Sequence, residues 1–291
     1  MPFRTRFAPS PTGPLHLGHA YSAILAHDMA RERNGEFLLR IEDIDQSRAR
    51  AEWEELIYED LVWLGLTWDG DVLRQSTRMP IYHRALQILW DEDLIFACNC
   101  SRRDINEALS APHEGTPPSG PDGVIYPWTC RRHGKANGTA SLPENTALRL
   151  DMEKVVRRLR KQPALEYIET GSVLAAAGKA QQIQLQELPS TVGDIVVARK
   201  DMGTSYHLSV VLDDADQAVT HVVRGQDLEE ATAIHVVLQS LLGLPTPIYH
   251  HHRLIRDKTG KRLAKRDDAR AIRTYRQDGA SPEDIRHMVG L

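Results

Sequence analysis

The stretch Arg6-Phe7-Ala8-Pro9-Ser10-Pro11-Thr12-Gly13-Pro14-Leu15-His16-Leu17-Gly18-His19, RFAPSPTGPLHLGH in one-letter form, decides how the rest of the chain is read. Before it, Phe3 to Phe7 reads as a short strand. After it, the spacing predicts a helix from about Leu17 through Arg33 that closes at Asn34-Gly35, a pair suited to a helix stop. A strand feeding a Pro/Gly turn into a helix sets unpaired backbone N–H groups and the positive end of the helix dipole at the carboxyl edge of a parallel sheet, a place that suits phosphate. The chain has no G-x-x-x-x-G-K-[ST] and no G-x-G pair, so neither the Walker loop nor the dinucleotide fingerprint accounts for the turn. Histidines stand there instead. His16 and His19, three apart at the start of the helix, share a face and can donate to phosphate oxygens, while Gly18 leaves room for a flat base or ribose. The plain structural alternative is a proline-rich turn with two exposed histidines.

Outward from this unit, Phe37-Leu38-Leu39-Arg40-Ile41 predicts a buried parallel strand joined to the first by a right-handed crossover. Trp53 to Leu64 and Pro80 to Asp91 read as amphipathic helices. From Ala97 to Gly138 the composition changes: all three cysteines fall here, with a Pro/Gly-rich patch at Gly115 to Gly123 and no clear period. This marks an insertion. Apolar patterning returns at Ala147-Leu148-Arg149-Leu150. It continues through Ile195 to Ala198, Tyr206 to Leu212 and Val219 to Val223, and then gives a helix near Leu228 to Leu242. Ser281-Pro282-Glu283-Asp284 has the form of an N-cap and first turn. The alternation predicts an α/β fold whose parallel sheet is interrupted and later completed. The expected division is 1–96, first half of the sheet domain; 97–192, insertion; 193–250, second half; and 251–291, a loop and short helical tail.

The chain's 291 residues suffice for one large domain or two ordinary ones. Hydrophobic residues at 41% and charged residues at 26% are ordinary for a folded protein. No apolar run approaches the ~20 residues that span a bilayer, so no membrane partner is expected. MPFRTRFAPSP has no apolar leader, which places the protein in the cytoplasm as an expectation. A net charge of −4 argues against a chain that coats nucleic acid nonspecifically. Basic stretches remain at Arg131-Arg132-His133, Lys154 to Lys161 and Lys258 to Arg270, each equally readable as a solvated face.

His16-Leu17-Gly18-His19 resembles the HIGH signature of class I aminoacyl-tRNA synthetases. Arg6 to Gly13, followed by Leu39-Arg40-Ile41-Glu42-Asp43-Ile44-Asp45, narrows the resemblance to glutamyl-tRNA synthetases. Two later stretches agree in order: Tyr206 to Arg224, ending His221-Val222-Val223-Arg224-Gly225, and Arg262-Leu263-Ala264-Lys265-Arg266, similar to that family's KMSKS loop. The resemblance implies a Rossmann-like catalytic domain that activates L-glutamate with ATP and Mg2+. In such a reaction a carboxylate attacks the α-phosphorus, and protein helps by positioning and by stabilising phosphate charge. By resemblance His16, Gly18 and His19 hold ATP, and Lys265 closes over the triphosphate. The loop departs from the usual signature in having Arg262 in place of its lysine and Ala264 in place of its serine. Around the amino acid the resemblance sets Arg6, Ser10, Glu42, Tyr206 and Arg224, with Arg6 and Arg224 on the side-chain carboxylate and Glu42 on the ammonium. Arginine suits the first task because its planar fork grips a carboxylate twice. The competing reading of Arg6 and Arg224 is an ion pair with Asp43 or Asp227.

Cys98, Cys100 and Cys130 are an odd set in a chain expected to be cytoplasmic, which argues against disulfides and for a metal. Zinc wants four ligands, and the residues alone nominate His133 or His113 as the fourth. The resemblance instead matches C-x-C followed by Y-x-x-x-C, implying Tyr126, with His133 as the alternative. One structural Zn2+ is expected; three free thiols in a loop is the alternative. After Arg266 only Asp267 to Leu291 remains, short of the ~50 residues of a domain, so no anticodon-binding domain is expected. A short tail with this cysteine pattern resembles the truncated paralogues of glutamyl-tRNA synthetase. That implies activation of glutamate without tRNA and its transfer to the queuosine base in the anticodon of tRNA(Asp). The implied partners are L-glutamate, ATP and queuosine-containing tRNA(Asp), and a monomer is expected. Two other readings stand beside this: a small synthetase charging a tRNA 3′ end, and a catalytically silent binder of glutamate or nucleotide.

Overall fold

The computed structural model describes residues 2–109, 119–131, 141–171, 178–256 and 270–291. The chain begins with β1 (Arg4–Phe7), α1 (Leu17–Arg31) and β2 (Glu36–Ile41), and β1 and β2 run parallel with Arg4 opposite Glu36 and Phe7 opposite Leu39. The helix stops two residues before the sequence-based end. Asn34 takes a left-handed φ of 49°, and the Gly35 N–H turns back to donate to Ala30 O at 2.8 Å. Gly35 tolerates no side chain, since a Cβ there would lie 2.2 Å from Phe3 O, where the β1–β2 ladder starts.

The next elements in order are α2 (Ala51–Trp63), β3 (Leu73–Arg74), α3 (Met79–Asp91), β4 (Ile95–Cys98), α4 (Arg102–Leu109), β5 (Ser119–Gly120), β6 (Gly123–Val124), β7 (Ala147–Leu150), α5 (Met152–Leu159), β8 (Glu166–Glu169) and β9 (Lys179–Gln182). Then follow α6 (Leu188–Thr191), β10 (Val196–Ala198), α7 (Tyr206–Asp216), β11 (His221–Gly225), α8 (Thr232–Leu242), β12 (Ile248–His252), α9 (Ile272–Gln277) and α10 (Pro282–Val289). β3 continues the parallel set beside β2, and a second sheet runs β11-β12-β8-β9, parallel except at β9. The two meet where the Thr220 N–H donates to Arg4 O at 3.0 Å and the Arg4 N–H to Thr220 Oγ1 at 2.8 Å. The chain order reverses between β1 and β11, so the loops after these strands part and leave a crevice.

A third, antiparallel sheet has the order β10-β7-β4, so residues before, within and after the 97–192 stretch build it together. β8 and β9 of that stretch in turn extend the parallel layer. Two large apolar clusters fill the molecule. One joins α1, β1, β2 and α2 to Ile272, Ile285 and Val289 of the tail; the other joins α3, the antiparallel sheet, α5, α7 and α8. Among the described residues no helix is long and apolar enough to cross a membrane.

Candidate active site

A cavity of about 950 Å3 opens at the carboxyl ends of β1, β2 and β11, and Arg6, Ser10, His19, Glu42, Tyr206 and Arg224 all line it. The Pro/Gly turn folds back so that His16 becomes the N-cap of α1. Its Nδ1 accepts the Gly18 N–H at 3.1 Å, while its own N–H donates to His19 Nδ1 at 3.1 Å. The two rings lie 3.8 Å apart. Because both Nδ1 atoms accept backbone N–H groups, each neutral ring carries its proton on Nε2. Gly18 serves this cap first: a Cβ there would meet the His16 ring at 3.0 and 3.1 Å, so the space over it belongs to imidazole. Lys265, with Arg262 and Ala264, lies outside the described residues, as do His113 and His133.

Beneath the cavity is a buried charge lattice. Asp214 Oδ1 accepts from Arg6 Nε at 3.0 Å and from Arg40 at 2.7 Å, and Arg40 also reaches Glu42 Oε1 at 3.3 Å. Burial works to raise the Asp214 carboxyl, but Arg40 and Arg6 outweigh it and hold it below the usual range. For Glu42 burial prevails over the pull of Arg40 and Arg6 and pushes the carboxyl up, so this acid is the one whose charge a cation entering the cavity would complete. The preceding residue, Asp213, accepts from Gln75 and Arg78 at 2.7 Å each and from Tyr82 at 2.9 Å. Arg40, Asp213 and Asp214 escaped the sequence reading. Their signal was two adjacent aspartates inside the apolar run Val210 to Asp214.

Neither of the competing ion pairs forms. Arg6 pairs with Asp214, not with Asp43, which accepts from the Ser76 N–H at 2.8 Å and the Ser76 hydroxyl at 2.6 Å. Arg224 has no carboxylate at ion-pair distance among the described residues. It donates to His251 Nε2 at 3.0 Å, His235 Nδ1 at 2.9 Å, Leu228 O at 3.1 Å and Thr232 Oγ1 at 2.8 Å. All four acceptors are neutral, so a guanidinium that is 5% exposed keeps its charge and turns it towards the cavity.

The cysteines converge. The Cys98, Cys100 and Cys130 sulfur atoms lie within 4.8 Å of one another, a cluster that can hold a metal ion. The Tyr126 hydroxyl sits 3.5 Å from Cys98 Sγ and 3.3 Å from Cys100 Sγ, and accepts the Cys130 N–H at 2.7 Å. Arg149 lies over the Tyr126 ring at 4.1 Å and donates to Cys98 Sγ at 3.3 Å, placing positive charge beside the cluster. The insertion also reaches the cavity, which its sequence position did not announce. Arg102, two residues beyond Cys100, lines it, and so does Asp122, which accepts from His207 Nε2 at 3.3 Å. Arg102 joins Arg48 and Arg199, all three exposed, in a lining that also holds Asp45, Asp122 and Asp201.

A pocket at a sheet's switch point, entered by a histidine-capped helix and backed by buried arginines, is the architecture of a class I tRNA synthetase catalytic domain. The family model for tRNA synthetases class I (E and Q), catalytic domain, matches residues 2–126 and 173–291. The glutamyl-Q tRNA(Asp) synthetase of Rhodobacter capsulatus is 60% identical over 291 residues, 99% of both chains. That of Geobacter sulfurreducens is 40% identical over 92% of this chain and 76% of its own. The chain belongs to this family of enzymes, as a member of its glutamyl-Q tRNA(Asp) synthetase group. A crystal structure of a glutamate tRNA ligase from Elizabethkingia meningosepticum in complex with its amino acid aligns with a TM-score of 0.73 at 25% identity, covering all of this chain and 61% of that one. The chain thus spans about three-fifths of that ligase's length. A methionyl-tRNA synthetase of Mycobacterium tuberculosis shares the fold at a TM-score of 0.57 and 13% identity, covering 99% of this chain and 64% of its own.

Proposed function

We propose that the enzyme activates L-glutamate with ATP to glutamyl-adenylate without tRNA and then transfers the glutamate to the queuosine base at the anticodon wobble position of tRNA(Asp). The observation that carries the glutamate half is Arg224, a buried guanidinium held only by neutral acceptors. It needs an anion, and a side-chain carboxylate meeting its remaining Nη1–H supplies one. Arg6 stands beside it, Glu42 takes the ammonium, and Ser10 and Tyr206 complete the wall. His16, Gly18 and His19 are assigned to ATP and Lys265 to its triphosphate, and Mg2+, when bound with ATP, would supply further neutralisation of phosphate charge. The glutamate α-carboxylate attacks the α-phosphorus, the bond to pyrophosphate breaks, and the queuosine nucleophile then displaces AMP from the mixed anhydride.

The 60% identical relative carries the acceptor in its name, and the lining of Arg48, Arg102 and Arg199 suits a phosphate-bearing second substrate. Three thiolates and a phenolic oxygen at this spacing fit one tetrahedral zinc ion, with Cys98, Cys100, Tyr126 and Cys130 as ligands. Bound there, zinc supplies folding free energy to the four-part chain divided at 97, 193 and 251, not an open catalytic position. The test is transfer of labelled glutamate, with ATP, to two preparations of tRNA(Asp) that differ only in queuosine at the wobble position. Label on the queuosine form alone is expected. Label on both forms would mean a 3′-end synthetase, and no glutamate-dependent pyrophosphate exchange would mean a silent binder.

A further inference from the structure

Donor and acceptor accounting around Arg224 fixes the state of every ring that touches it. Arginine only donates, so His235 Nδ1 and His251 Nε2 are acceptors and the ring protons sit on the opposite nitrogens. On one side, His251 Nδ1–H donates to Glu169 Oε2 at 2.5 Å. On the other, His235 Nε2–H donates to His207 Nδ1 at 3.1 Å, and His207 Nε2–H to Asp122 Oδ1 at 3.3 Å. Each chain of bonds ends on a carboxylate, and both carboxylates lie in the 97–192 stretch.

We propose that Glu169 and Asp122 are positioning residues for Arg224, orienting its guanidinium through His251 and through the His235–His207 pair, and that they thereby set the affinity of the cavity for an amino-acid carboxylate. The inference rests on the reading of Arg224 as the carboxylate anchor. A carboxylate in direct contact would neutralise the arginine and compete with substrate. Set one or two imidazoles away, it locks the tautomers and the fork direction and leaves the charge for the ligand. Glu169 is built for this. It accepts the Gly171 N–H at 2.7 Å and the His251 N–H at 3.1 Å, and these bonds with the His251 ring outweigh its burial and draw its carboxyl down to about 2. It stays ionised throughout the working range of pH. Burial, reinforced by Arg224 and His207, keeps His235 neutral and able to accept.

The experiment is glutamate-dependent ATP–pyrophosphate exchange on the full chain, for wild type, Glu169→Gln, Asp122→Asn, His251→Leu and His251→Gln. The KM for glutamate is expected to rise by about tenfold in Glu169→Gln and His251→Leu, the scale of one charge-assisted hydrogen bond, with kcat and the KM for ATP held within about twofold. His251→Gln, whose amide can accept from Arg224 and donate to Glu169, should recover most of the loss. Asp122→Asn, at a half-exposed position where folding is not at stake, should show a smaller rise in the same constant. An unchanged KM for glutamate in all four variants, or loss of kcat and thermal stability with KM unmoved, would overturn the inference and leave the glutamate reading standing. A wild-type chain without glutamate-dependent exchange overturns both.

Discussion

Arg6 and Arg224 are similar in burial and opposite in electrostatics. Arg6 shares Asp214 with Arg40, whereas Arg224 has only neutral acceptors. Replacing Arg224 by lysine keeps the charge but loses the fork, so the KM for glutamate should rise by about tenfold or more in pyrophosphate exchange. Asp214→Asn leaves two buried guanidinium groups short of their shared anion, and urea denaturation should show a loss of about 3–5 kcal/mol. Asp60 gives a pH prediction. Both its carboxylate oxygens are buried without a hydrogen-bond partner, and burial, only partly offset by Arg276, pushes its carboxyl up to about 6. A raised carboxyl favours the protonated fold, so stability is greatest below the unfolded value of about 3.9, falls as pH rises to about 6, and is level above it. Asp60→Asn should abolish that slope and, with solvent screening allowed for, raise stability at pH 7 by about 1–2 kcal/mol. A variant that keeps the slope would rule Asp60 out. The arginines could be named from their motifs, but their partners could not, because Asp214 and His251 reach them across folded space.

At the scale of elements, legibility followed locality. The Ser281 cap of α10 was readable because its partners lie within one turn: Ser281 Oγ accepts the Asp284 N–H at 3.1 Å, and Asp284 accepts the Ser281 N–H at 2.8 Å. Arg286 then ties the helix to Asp28 of α1 at 2.6 and 3.1 Å. Ser281→Ala should cost about 1 kcal/mol, seen as a fall in melting temperature of about 2–4 °C; a change within error would show that the tail contributes nothing to the cooperative fold. The α1 start was equally plain as a strand–turn–helix unit. Its histidines, however, turned out to cap the helix, with only His19 lining the cavity, because His16 stands just outside the first turn. α7 was the least legible element. His207 to Asp214 are all buried, and a helix buried all round lacks the one-sided period that marks a surface helix.

For the whole molecule, the insertion is the test of integration. Its cysteine cluster sits at the end of β4, its β8 and β9 extend the parallel layer, and its Asp122 reaches the cavity wall. Elemental analysis should find one zinc per chain. Stripping the metal with a chelator, or Cys130→Ser, should lower the melting temperature and weaken glutamate binding as well as zinc content. A chain that purifies without metal and melts unchanged would sink the zinc reading. The sequence by itself determined the α/β class, the strand–turn–helix unit at the start of the chain, the family and the grouping of cysteines with Tyr126, because each is written in neighbouring residues or in motif order. Only the tertiary structure decided that Asp214 serves two arginines, that Arg224 meets no carboxylate, and that the insertion supplies Glu169 and Asp122 behind it. Those contacts join residues far apart in the chain, and burial and charge select among such pairs only once the sheets have closed around them.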